Sequence, residues 1–180
     1  MKSINKDKID ETNYDESRMK NRQTGQEEAF SDNEINKAYE DLITGLEDLQ
    51  IHSLNFFISA LESDKSKEIV NKYGNNAIDY FINLSQFGSE EIQSLALSCV
   101  ELFYNHGDLD VSNISNPEYV QFLIQNKLMT SIPEANKVLS ILSIDAAEDD
   151  ESITTMFENN ILGFISELPP ETGYGELIYI

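Results

Sequence analysis

From residue 34 onward, apolar side chains recur at spacings of three and four, and the pattern repeats with a period near 42. Ile35, Ala38, Tyr39, Leu42, Ile43 and Leu46 form one apolar face of a helix opened by Asp32 or Asn33. Further helices are predicted over 51–61, 66–73, 76–87, 90–105, 117–127, 134–147, 151–158 and 160–168. Gly74, Gly88, Gly107, Pro117, Pro133 and Pro169-Pro170 act as breakers. No stretch alternates strictly or concentrates β-branched residues, so the fold class is all-α.

Sliding the chain against itself brings out the repeat. A shift of 41 lays Ile51-x-Ser53-Leu54 on Ile92-x-Ser94-Leu95, Tyr39 on Tyr80, and Leu46 on Phe87. A shift of 84 lays Tyr73-Gly74-Asn75-Asn76 on Phe157-Glu158-Asn159-Asn160. A shift of 42 lays the polar stripe Ser94, Ser98, Glu101, Asn105 on Asn136, Ser140, Ser143, Ala147. The segment 108–116 reads as an insertion. Units of this length cannot bury their apolar faces alone, so they stack on their neighbours.

Residues 1–33 break the pattern. They hold six basic and eight acidic residues with scattered hydrophobes, too little apolar surface to offset the entropy of ordering, and are read as a disordered tail. Both arginines lie there, in Arg18-Met19-Lys20-Asn21-Arg22. The whole chain carries 12 basic and 33 acidic residues. Removing the tail leaves six against 25, a net charge of −19 in 34–180, compared with −21 for the whole. Such a field repels nucleic acid and anionic lipid and favours basic partners. One cysteine excludes an internal disulfide. One cysteine with two histidines also excludes a closed Cys/His zinc site. No apolar run suits a membrane span or a signal peptide, so the chain is expected in the cytoplasm, the nucleus or both.

Few residues invite chemistry. The polar stripe on the 90–105 helix reads either as a solvated face or as a surface that grips a partner. The densest acidic run, Asp145-Ala146-Ala147-Glu148-Asp149-Asp150-Glu151, lacks the glycine and ligand spacing of a calcium loop and reads as a solvated connection. Cys99 reads as a small buried hydrophobe. No motif joins a nucleophile, a base and an oxyanion donor, and no phosphate loop is present. The expectation is no enzyme, no cofactor and no metal.

With a period near 42, the stretch Ser89-Glu90-Glu91-Ile92-Gln93-Ser94-Leu95-Ala96-Leu97-Ser98-Cys99-Val100-Glu101-Leu102-Phe103 resembles the second and third helices of an armadillo unit. Asn116-Pro117-Glu118-Tyr119-Val120-Gln121-Phe122-Leu123-Ile124-Gln125-Asn126 resembles the short first helix of the next unit. Tyr73-Gly74-Asn75-Asn76 and Glu158-Asn159-Asn160 sit where that family turns before its second helix. The resemblance covers 34–180. It implies a right-handed α-solenoid of about three to four divergent armadillo-like repeats, ending in a C-terminal unit that reads as truncated. In layout the chain is most similar to importin-α nuclear-import adaptors. That likeness implies a groove for basic segments of partner proteins and an importin-β-like receptor. On this reading Ser94, Ser98, Glu101, Asn105, Asn136, Ser140 and Ser143 meet the partner. The family's Trp positions map to Ser98 and Ser140, and its Asn positions to Leu102 and Ile144. The alternative is a generic armadillo scaffold, or a regulatory subunit docked through an uncapped C-terminal end at Leu177-Ile178-Tyr179-Ile180.

Overall fold

Three of the described helices start on a polar side chain that caps the first turn. Asn116 accepts a hydrogen bond from the Glu118 amide at 2.9 Å, with Pro117 opening the first turn. Ser131 accepts from the Glu134 amide at 3.3 Å, with Pro133 just behind it. Asp149 accepts from the Glu151 amide at 3.1 Å. These caps satisfy amides that have no partner within the helix. Much of the negative charge sits in first turns, at Glu47, Asp48, Glu90, Glu91, Asp150 and Glu151, where the helix dipole favours it.

The computed structural model describes residues 30–107, 109–170 and 172. Its compact unit begins at Asp32. The helices are α1 (Asp32–Ile43), α2 (Glu47–Leu61), α3 (Ser66–Phe87), α4 (Glu90–His106), α5 (Pro117–Phe122), α6 (Ile132–Glu148), α7 (Asp150–Glu158) and α8 (Ile161–Glu167). A 3-10 turn, Val111–Asn113, precedes α5, which runs on into a π-helical turn, Leu123–Lys127. No strand occurs among the described residues, so the all-α class stands. No described helix is long and apolar enough to cross a membrane. The expected tail at 1–33 and the terminal Leu177–Ile180 lie, almost wholly and wholly, outside the described residues.

Two sets of neighbours organise the stack. On one side α2, α4 and α6 lie next to one another. They run parallel, because their contacts advance together. The Cys99 thiol reaches the Leu54 carbonyl oxygen at 3.7 Å, and the Phe57 and Phe103 rings are 6.4 Å apart. Ser94 then meets Glu134, and Glu101 meets Ser140. On the other side α1 runs parallel to α3. Tyr73 donates to Asn36 Oδ1 at 2.8 Å, and Tyr39 donates to the Asn76 carbonyl at 3.1 Å. A matched pair of glutamines ties the two sides. Gln50 donates to the Leu42 carbonyl, and Gln93, 43 residues later, donates to the Gln86 and Gly88 carbonyls. Each closes the end of the preceding helix, where carbonyls lack intrahelical partners.

The core of the first half is aromatic. Phe57, Phe81 and Phe103, from α2, α3 and α4, are fully buried, with centroid separations of 5.4 and 5.2 Å about Phe81. Each contributes about 1.5–3 kcal/mol by leaving water. The second half has an aliphatic core, with Val120, Leu123, Ile124, Val138, Ile141 and Leu142 buried, and buries polar groups beside it. Tyr119 shares a hydrogen bond with Ser85 at 3.1 Å, and the Lys127 amine donates to Gln93 Oε1 at 2.5 Å.

Three expectations need correction. Gly74 does not break a helix. α3 passes straight through it, and the turn expected at Tyr73–Asn76 is absent. Gly74 is a close-approach glycine, since a Cβ there would lie 2.7 Å from Leu109 Cδ2. Ser89–Phe103 is likewise not two helices: Ser89 precedes the uninterrupted α4, and Glu90–Phe103 lies within it. Asp145, expected in a solvated connection, lies inside α6 and is fully buried. It accepts from Ser115 Oγ at 2.5 Å and Ser152 Oγ at 2.9 Å, while its Oδ2 has no hydrogen-bond partner. Burial raises its pKa, and the two hydroxyls oppose the shift.

Candidate protein-binding face

α4 carries Ser94, Ser98, Glu101 and Asn105 along one side because spacings of four and three keep a helical stripe in line. Packing α6 alongside brings part of that stripe against Glu134, Lys137 and Ser140. The closest contact is a half-buried junction. Ser94 Oγ donates to Glu134 Oε1 at 2.6 Å, and Lys137 Nζ donates to the same oxygen at 2.9 Å. Lys137 also reaches the Ser94 carbonyl and hydroxyl oxygens, both at 3.4 Å. Seven residues further along α4, Glu101 lies close to the Ser140 hydroxyl. Burial pushes the Glu101 carboxyl upward in pKa, while Ser140 and the Lys137 amine pull it back.

The remaining stripe residues stand differently. The Ser98 hydroxyl donates to the Ser94 carbonyl at 3.1 Å, and Ser143 to the Ser140 carbonyl at 2.8 Å, each within its own helix. Asn105 and Asn136 are exposed. The structure therefore joins Ser94, Glu101 and Ser140 in one seam and sets Asn105 and Asn136 at the surface.

Two groups of residues on this face escaped the sequence reading. Glu134 and Lys137, which hold the junction together, follow Ser94 at 40 and 43 residues. That is the repeat period itself, so the signal was present. The second group lies on α2. Because Leu54 aligns with Cys99, a shift of 45–46 sets Asp48, His52, Asn55 and Ser59 beside Ser94, Ser98, Glu101 and Asn105. All four α2 residues are exposed. A shift of 41 hid this match.

The face formed by α2, α4 and α6 thus offers hydroxyls, amides and the carboxylates of Asp48 and Glu101, while the Glu134 carboxylate is turned into the junction with Ser94 and Lys137. Its one lysine among these positions, Lys137, already pairs with Glu134. Such a surface accepts hydrogen bonds from ammonium and guanidinium groups. Cys99 faces the interior, where burial raises its thiol pKa. Elsewhere, a polar recess of about 260 Å³ between α3 and the 3-10 turn is lined by Asp79, Asn83, Gln86, Asn113 and Asn116. Among the described residues no cluster of His, Cys, Asp and Glu is arranged to hold a metal ion. No family model matches the chain, and no curated protein or solved structure matches it.

Proposed function

We propose that this chain is a non-enzymatic protein-binding adaptor that holds basic segments of partner proteins along the face of α2, α4 and α6. The observation that carries the reading is the register. Three parallel helices bring polar stripes into line, and the pairs that fix it repeat at about one unit length. On this reading the helices act as a right-handed α-solenoid of three to four divergent armadillo-like units, two of whose long helices are unbroken where that family turns. The stripe residues Ser94, Ser98, Glu101, Asn105, Asn136, Ser140 and Ser143 line the track, with Asp48, His52, Asn55 and Ser59 extending it onto α2. The net charge of −21 speeds encounter with a basic segment and orients it. The layout resemblance to importin-α makes nuclear protein import, with an importin-β-like receptor as second partner, the process we propose it serves in cytoplasm and nucleus.

The test is a fluorescence-anisotropy titration of the full chain with a labelled peptide of alternating lysine and glycine. Binding is expected at about 50 mM salt and should fade by about 300 mM as ions screen the charges. Asn55→Lys and Asn105→Lys change exposed residues only and place positive charge on the track. Each should weaken binding about fivefold or more. No binding at low salt, or equal binding by both variants, would overturn the proposal.

A further inference from the structure

The turns that lead into α2, α4 and α6 expose large apolar side chains where polar ones would cost nothing. Phe87 ends α3 with 75% of its surface exposed, Leu46 precedes α2 at 60%, and Met129 lies before α6 at 45%. They follow one another at 41 and 42 residues. Because α2, α4 and α6 run parallel to one another, their starting ends share one edge of the stack. The three side chains therefore form a row. At the Met129 end the row opens into a recess of about 300 Å³ lined by Ile132, Leu168 and Pro169, with Glu167 also lining it. Exposed carboxylates border the row at Glu47, Glu90 and Glu91. Side chains of this size are normally buried, and a row of them with a charged border marks an interaction surface.

Spacing and charge identify the occupant. Packed helices sit about 8–10 Å apart, so the apolar positions of the row recur at about that interval. A helix rises 1.5 Å per residue, so residues seven apart on it recur every ~10.5 Å. We propose that this edge binds an amphipathic helix of a partner protein, apolar at every seventh residue and rich in lysine or arginine beside those positions. One apolar side chain of that helix fills the recess between Met129, Ile132 and Leu168. Its basic residues pair with Glu47, Glu90, Glu91 and Glu167. This edge lies at the ends of the helices, apart from the polar stripe along their length, and its role stands whether or not the stripe binds a basic segment.

The test uses the full chain and three synthetic helices. The first has leucines at i, i+7 and i+14 flanked by lysines. The second replaces the leucines with serine, and the third replaces the lysines with glutamate. The first should bind at least about tenfold more tightly than either other peptide. Phe87→Ser and Met129→Ser, prepared separately and checked for unchanged thermal unfolding, should each weaken it about tenfold. Neither should alter binding of the lysine–glycine peptide. Equal binding of the serine peptide would reduce the edge to nonspecific charge and overturn the proposal. So would unchanged affinity in both variants. A concentration-dependent dimer of the chain that Phe87→Ser dissolves would assign the edge to a second copy, and would overturn it as well.

Discussion

α4 meets α2 on one flank and α6 on the other, and the two seams solve the same packing problem with opposite chemistry. Toward α2 it presents Cys99 and Phe103 to Leu54 and Phe57, all fully buried. Toward α6 it presents Ser94 and Glu101 to Glu134, Lys137 and Ser140. The apolar seam gains chiefly by removing surface from water, a term with no direction, and the hydrogen bond across it, from the Cys99 thiol to the Leu54 carbonyl, is a weak one. The polar seam gains little net energy, since each charge gives up hydration to reach its partner. What the polar seam supplies is a defined register, because a hydrogen bond at 2.6 Å tolerates no sliding. One helix thus anchors the stack on one side and sets its alignment on the other.

The contrast breaks most sharply at Phe103. Phe103→Ala empties the aromatic cluster and should cost about 3–5 kcal/mol in urea unfolding, as large-to-small changes in tight cores do. A loss below 1 kcal/mol would mean the first half is no more closely packed than the second. The polar seam should respond less, and in a different way. Glu134→Leu alone leaves a half-buried Lys137 without its carboxylate and should cost about 1–2 kcal/mol, between an exposed pair and a fully buried one. The double variant Glu134→Leu, Lys137→Met should regain most of that loss. If the double variant fell as far as the sum of its singles, the seam would owe its stability to something other than pairing.

The smallest effect lies at Asp145 and depends on pH. Burial raises its folded pKa above the ordinary aspartate value, so the folded chain holds that proton more tightly than the unfolded chain. Its charge therefore costs stability at neutral pH, and the cost disappears as pH falls through the folded pKa. Asp145→Asn removes the titration. The variant should be more stable than its parent by about 1 kcal/mol at pH 7. That advantage should shrink as pH drops, because only the parent gains from protonation. An advantage that grew on acidification would show that Asp145 is favourably paired as an anion.

Helical class and most helix ends were legible because apolar periodicity decides them locally. The helix expected at 90–105 runs Glu90–His106, and that expected at 151–158 runs Asp150–Glu158. Gly74 misled because a glycine inside a helix costs only ~1 kcal/mol relative to alanine. The apolar run Ile69, Val70, Tyr73, Ala77, Ile78, Phe81 continues through it and outweighs that cost. Leu46 misled in the other direction. It fits the apolar face of α1, but Gly45 at φ +75° ends the helix first and turns Leu46 outward. The stripe on α4 was legible as a stripe. What it touches was not, because Glu134 and Lys137 become neighbours of Ser94 only once α6 has docked. Asp145 was least legible of all, since its burial depends on Ser115 thirty residues upstream.

The matched register also governs how the chain finds its fold. Asn36 bonds Tyr73 across 37 residues, Leu54 meets Cys99 across 45, and Ser85 meets Tyr119, Gln93 meets Lys127 and Gln125 meets Asn159 across 34. Each successive docking step therefore closes a loop of nearly the same length. Closure entropy rises only with the logarithm of loop length, at ~0.6 kcal/mol per doubling. Adding a later helix is then entropically no harder than adding an earlier one, and a chain on this plan grows longer without a steeper search at each step.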